Sequence, residues 1–209
     1  MADFYLASHS ARRRDLLRQI GARFETLLLR SATPRGPDIS EQIQAGEAPE
    51  DYVLRVAREK AQCGVQTLAA RSLVAKPVLG ADTTVIVDDT ILGKPQDAAE
   101  ASAFLQRLSG RTHEVRTAVA LAVPRGPSER SFAIWTLVSV TRVTLRPLEA
   151  GEIAAYCASG EPYDKAGGYG IQGRAAIFID RIDGSYSGVV GLPLAETAAL
   201  LHRAGVHLL

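Results

Sequence analysis

The sequence predicts an α/β protein with a mixed sheet, and three observations carry that reading. Strand-like apolar runs alternate with segments of helical periodicity along the chain. Two long β-type runs, Thr112 to Val123 and Ser131 to Leu145, are joined by the turn-rich Pro-Arg-Gly-Pro-Ser-Glu-Arg and should pair antiparallel, so the sheet is not purely parallel. No internal repeat, low-complexity stretch or composition break marks a linker, which makes residues 1–209 a single domain.

In chain order, Phe4 to Ala7 is a short apolar strand leading through Ser8-His9-Ser10 into a helix that carries Leu16, Leu17 and Ile20 and stops at Gly21. Phe24 to Leu29 reads as a second buried strand, followed by a long Pro/Gly-containing loop from Arg30 to about Ala48. Pro49-Glu50-Asp51 opens a helix with Val53, Leu54, Ala57, Ala61, Val65 and Leu68 on one stripe. Val78 to Val87 is β-rich, Asp88-Asp89 is a turn, and Ile91-Leu92 returns before Gly93-Lys94-Pro95 stops the strand. A helix with Ala101, Phe104, Leu105 and Leu108 closes at Gly110 ahead of the hairpin. Leu148 to Ala158 is helical, Gly160 to Gly173 is a glycine-rich loop, Ala175 to Ile182 is a strand, Asp183-Gly184 is a turn, and Pro193 to Ala204 is the last helix.

Composition narrows the class. With 209 residues, 46% apolar, 22% charged and a net charge of +1, the chain reads as an ordinary globular protein. It has no membrane-spanning apolar run and no basic-then-apolar leader, so the expected compartment is the cytoplasm. The 24 basic and 23 acidic residues leave no global field for nucleic acid or a membrane surface, so any anion must be held locally. Cys63 and Cys157 read as small buried hydrophobes, and His202 and His207 as a solvated end that even a continued helix would not stack on one face.

Chemistry shows at three places. In Ser8-His9-Ser10-Ala11-Arg12-Arg13-Arg14, arginines occupy a helix start where the macrodipole favours acids. Two readings stand: a phosphate cradle of backbone N–H groups, serine hydroxyls, Arg12 and Arg13, or a solvated basic face with Ser10 as cap. Gly80-Ala81-Asp82-Thr83-Thr84 drops a carboxylate into an apolar strand, where an unpaired charge is costly. Asp82 must point into a cleft, bind a metal or find a partner, and Gly80 and Ala81 leave room for something to approach the backbone. Third, only four lysines stand beside twenty arginines. Lys60, Lys94 and Lys165 are point charges suited to triphosphate oxygens, with solvated surface as the alternative for each. The loop from Glu161 to Gly173 adds backbone N–H groups and the Gln172 amide, which can both donate and accept toward a base edge.

These segments resemble the Maf-like nucleoside triphosphate pyrophosphatases over essentially the whole chain. The matching pieces are LASHSARRRDLL, EDYVLRVAREKA, GADTTVIVDDTILGKPQDAAEA, LSGRTHEVRTAV, EPYDKAGGYGIQG and DGSYSGVVGLPLAET. Within the family, DKAGGYGIQG is similar to the form in enzymes that hydrolyse dTTP and UTP. The resemblance implies two lobes around a cleft, as in inosine triphosphate pyrophosphatases. It implies Asp82 as proton acceptor, with Arg12, Thr83 and Gln172 governing substrate choice. It further implies Lys60 and Lys94 as phosphate ligands, Glu41 with Asp82 on the metal side, and Mg²⁺ or Mn²⁺ as cofactor. Ser8, Arg13 and Lys165 complete the expected substrate contacts, and a homodimer is allowed. Ala11 stands where the family commonly has proline, and Arg30 to Pro37 fits the family pattern poorly. The rival readings are a pyrophosphatase for 7-methyl-GTP or another modified purine, and a nucleotide-sensing or division-related protein that binds without turnover.

Overall fold

In the computed structural model the described residues are 2–30, 38–125 and 131–208. The expected loop after Arg30 and the expected hairpin turn therefore lie partly outside them. The elements are β1 (Phe4–Leu6), α1 (Ala11–Gln19), β2 (Phe24–Thr26), α2 (Pro49–Ala70), β3 (Val78–Val87), β4 (Thr90–Leu92), α3 (Ala98–Leu108), β5 (Thr112–Pro124), β6 (Phe132–Leu145), α4 (Ala150–Ala158), β7 (Ile179–Asp183), α5 (Tyr186–Val190) and α6 (Leu194–Arg203). The sheet runs in the order β2-β1-β3-β5-β6-β7, with β4 also on β3. It is mixed: β1 pairs parallel with β2 and β3, while β3–β4 and β6–β7 are antiparallel. No helix among the described residues is long and apolar enough to cross a membrane.

The chain divides into two compact units, and each has its own core. The first takes the chain up to Asp82, Ala118–Val138 and the chain from Gly191 onward. It is organised by α2, which starts with a proline and two acids in its first turn and buries Tyr52, Val53, Val56, Ala57, Ala61, Val65 and Leu68. Its small residues decide how closely it lies on β3. A Cβ built on Gly80 would fall 2.6 Å from the Ala57 carbonyl oxygen and 2.7 Å from the Ala61 nitrogen, and one on Gly64 would fall 2.5 Å from Val78. The room at Gly80 is thus filled by the helix backbone, not by a ligand, which corrects the sequence reading.

The second unit comprises Thr83–Thr117 and Ser139–Val190. Val85, Leu105, Leu108, Val143, Leu145, Ile153, Tyr156, Tyr169 and Phe178 form its core. Here three expectations change. The expected strand from Ala175 is a 3-10 turn over Arg174–Phe178, and β7 begins only at Ile179, the backbone having turned before the ladder with β6 starts. The glycine-rich loop contains short 3-10 turns at Glu161–Asp164 and Ala166–Gly168, and α5 follows Gly184 where only a turn was expected. Gly167 has φ +71°, and a Cβ there would meet Val85 at 2.8 Å, so only glycine seats the loop on β3. In the first unit β2 is likewise shorter than expected, ending at Thr26.

Candidate active site

Asp82 lies within β3 with 8% of its surface exposed. Its partner is Lys60, whose Nζ donates to Oδ1 at 2.8 Å. The close approach at Gly80 explains the contact: Lys60 rides on the helix turn that lies against β3, its Cβ 3.1 Å from the position a Gly80 Cβ would take. The same ammonium lies 2.7 Å from Glu41 Oε1. One cationic centre thus gathers two carboxylates from sequence positions far apart. Among the described residues no group of three or more His, Cys, Asp or Glu side chains gathers as a metal cage. The donor chemistry still fits a hard divalent cation, because Mg²⁺ commonly takes one or two carboxylates and completes its shell with phosphate oxygens and water.

The α1 start is capped, and the alanine at position 11 does not displace it. Ser10 accepts from the Arg13 backbone N–H at 3.3 Å, and the Ser8 hydroxyl accepts from the Ser10 N–H at 3.1 Å. Arg13 turns inward, 9% exposed, with Nε donating to the Gly191 carbonyl at 2.7 Å and Nη1 facing Ser8 Oγ at 3.4 Å. Burial pulls its guanidinium below the ordinary value, and the negative charges of Asp82 and Glu41 oppose that shift. Its geometry makes it a tie between the helix start and Gly191, whereas Arg12 is half-buried on the same turn.

In the second unit, Thr83 is half-buried and joined to the Thr117 hydroxyl at 3.0 Å, and Thr117 also reaches the Gly188 carbonyl at 2.8 Å. Lys94 is exposed just after β4, and the Gly93 carbonyl accepts the Gly167 N–H at 2.9 Å, tying the lysine's turn to the glycine-rich loop. Gln172 is exposed. Lys165 is held inside its own loop, donating to the Glu161 carbonyl at 2.7 Å and to Asp164 Oδ1 at 2.5 Å, with its stem over Gly170. That arrangement makes Lys165 a brace for the loop.

Several contributors were invisible in sequence. Glu161 accepts from the Tyr156 hydroxyl and the Arg174 N–H, both at 3.0 Å, and its carboxylate fills the space a Gly173 side chain would need. His113 is buried with Nε2 2.7 Å from the Tyr169 hydroxyl and no partner on Nδ1, and burial lowers its pKa to about 4. Tyr52 and Arg55 hold the Glu41 segment, with Glu47 seating Arg55. The terminal histidines are exposed, as expected, and a reversal at Gly205 (φ +80°) brings the His202 and His207 rings to 4.8 Å, edge to face. Both cysteines are free; Cys157 is buried, but Cys63 only half so.

The mixed sheet with its helices defines the class as α/β. The solved HAM1 protein of Coxiella burnetii is similar, with a TM-score of 0.52 over 98% of this chain and 100% of that one; at 16% identity the likeness concerns the fold alone. The family model for Maf-like protein matches residues 3–204, and the chain belongs to that family. It is 52% identical over 202 residues to the dTTP/UTP pyrophosphatase of Nitrosomonas europaea, covering 97% of this chain and 94% of the relative. The protein of the same name from Bordetella avium is 53% identical over 204 residues, covering 98% and 96%.

Proposed function

We propose that this chain is a nucleoside triphosphate pyrophosphatase that hydrolyses dTTP and UTP to the monophosphate and pyrophosphate. The observation that carries the reading is Asp82, a carboxylate buried in an apolar strand and held at 2.8 Å by Lys60, in a chain half identical to relatives bearing that activity's name. Asp82 accepts a proton from the attacking water. The water oxygen bonds to the α-phosphorus while the bond from that phosphorus to the α,β-bridging oxygen breaks, and pyrophosphate leaves with the electron pair. No covalent intermediate on the protein is needed.

The remaining residues neutralise charge and choose the substrate. Lys60, Lys94, Arg12 and the Ser8 hydroxyl bind phosphate oxygens, and Arg13 fixes the α1 start beneath them. Asp82 and Glu41 are the residues that would hold Mg²⁺ or Mn²⁺, which when bound supplies charge neutralisation on the phosphates. Thr83 and the Gln172 amide govern the choice of base: uracil and thymine share an acceptor–donor–acceptor edge that a carboxamide and backbone groups can pair. Residues 1–209 act as one Maf-like domain, supported by a family match that extends over 3–204. The balanced charge supports action on free nucleotides in the cytoplasm in place of nucleic acid or membrane.

The test is release of monophosphate and pyrophosphate from dTTP, UTP, CTP, GTP and 7-methyl-GTP by purified protein with Mg²⁺ or Mn²⁺. Turnover led by dTTP and UTP is expected. Turnover confined to 7-methyl-GTP would replace the substrate assignment, and binding of nucleotide without turnover would remove the enzymatic one.

A further inference from the structure

The segment carrying Glu41 has no regular secondary structure, and residues 40–46 are exposed. It is nonetheless tied down at three consecutive carbonyl oxygens by two side chains of α2. Arg55 Nη1 donates to the Ser40 carbonyl at 3.2 Å, the Tyr52 hydroxyl to the Glu41 carbonyl at 3.1 Å, and Arg55 Nη2 to the Gln42 carbonyl at 2.9 Å. Arg55 is itself seated. Its Nε and Nη2 donate to the two Glu47 oxygens at 2.6 and 2.9 Å, and Nη1 also reaches Glu59 at 3.4 Å. Every N–H of the guanidinium fork therefore has an acceptor. The Arg55 side chain is only 18% exposed, that of Glu47 8%, and the guanidinium lies 5.6 Å from the Tyr52 ring centre.

We propose that Arg55, seated by Glu47 and packed on Tyr52, is a positioning residue that pre-sets the Glu41 carboxylate for the divalent cation. The inference rests on the reading of Glu41 and Asp82 as the metal-side pair. Glu41 has 48% of its side chain exposed, so its own packing does not fix it. Without the fork, the backbone that aims this carboxylate would have to be ordered each time the cation binds, and that conformational entropy would be subtracted from affinity. Hydrogen-bonded support behind metal ligands typically changes affinity by about 10–100-fold. Lysine keeps the charge of arginine but cannot hold two carbonyls and a carboxylate in one plane. Arg55→Lys therefore separates geometry from electrostatics.

The experiment measures Mn²⁺ affinity by the paramagnetic resonance of free Mn²⁺, with backbone hydrogen exchange over residues 40–44 in parallel. Wild type, Glu41→Gln, Arg55→Lys and Tyr52→Phe are compared. Glu41→Gln should weaken Mn²⁺ binding, and Arg55→Lys should weaken it by about 10–100-fold while exchange at 40–44 accelerates. Tyr52→Phe should act in the same direction with a smaller effect, and it decides the matter should Arg55→Lys fail to fold. Wild-type Mn²⁺ affinity in both Arg55→Lys and Tyr52→Phe, beside a weakened Glu41→Gln, overturns the positioning role alone. Unchanged affinity in Glu41→Gln, or no Mn²⁺ binding by the wild type, overturns the metal-side reading and the inference with it.

Discussion

The Asp82 region of the first unit and the glycine-rich loop of the second are held by different means. In the first, opposite charges converge: Lys60 joins Asp82 and Glu41, and Arg55 joins Glu47. In the second, the glycine-rich loop is held largely by shape and neutral contacts, with Gly167 on Val85, Tyr169 on the buried His113 and Glu161 beneath Gly173, beside one ion pair between Lys165 and Asp164. Ionic contacts make a site that a single charge change should disable without unfolding. A packed loop instead should respond through stability first.

The sharpest test of that contrast is Asp82→Asn. Removing a general base costs about 10²–10⁴-fold in kcat, while the amide, nearly the same size as the carboxylate, leaves the strand packed; kcat beside a thermal melt checks both halves. Loss of the fold would break the comparison. Gly80→Ala should do the reverse of Asp82→Asn, because the added methyl meets the α2 backbone and not a flexible side-chain end. We expect a stability loss of about 3 kcal/mol, at the upper end of overpacking costs, read as a fall in the denaturation midpoint.

The second unit should show its own acid response. Burial favours neutral His113 and places its folded pKa at about 4, below the ordinary 6.5. Between those values the unfolded chain binds a proton that the native one does not. Stability from this group is complete above about pH 6.5 and falls as pH drops toward 4, by about 3 kcal/mol in all. Denaturation curves from pH 7 to pH 4 (roughly, spanning the two pKa values) should show that slope in the wild type and a flatter one in His113→Gln. An identical slope in both would assign the response elsewhere. The smallest effect concerns the base: CTP places an amino donor where UTP has an acceptor, costing about 1–3 kcal/mol, or one to two powers of ten in kcat/KM. Gln172→Glu should narrow that gap, and equal kcat/KM for UTP and CTP in the wild type would remove the base-reading role.

The same contrast governs what could be read from sequence. Asp82 was legible because a charge interrupting an apolar strand needs a reason wherever the chain goes, and the helix at Pro49 was legible from its stripe and its acidic first turn. Gly80 was misread, since a missing side chain shows that something approaches but not whether it is a ligand or a helix. The charges of Arg13 and Lys165 are local information, whereas the Gly191 and Glu161 carbonyls that engage them are set by tertiary structure and show only in the fold. The Arg55–Glu47 pair spans the start of α2 at a separation of eight, outside the helical i, i+4 pattern, so no periodicity announces it. The segment from Ala175 to Phe178 resists for a similar reason: its apolar residues suit a strand, but the ladder with β6 begins only at Ile179.

The central claim is that Asp82 activates a water for attack on the α-phosphorus of UTP or dTTP, and heavy-oxygen water tests it most directly. Turnover of UTP in isotopically enriched water, followed by mass spectrometry of both products, should place the label in the monophosphate and none in the pyrophosphate. Asp82→Asn should slow that incorporation in step with its loss of kcat. Label in the pyrophosphate, or release of orthophosphate as the labelled product, would contradict the mechanism.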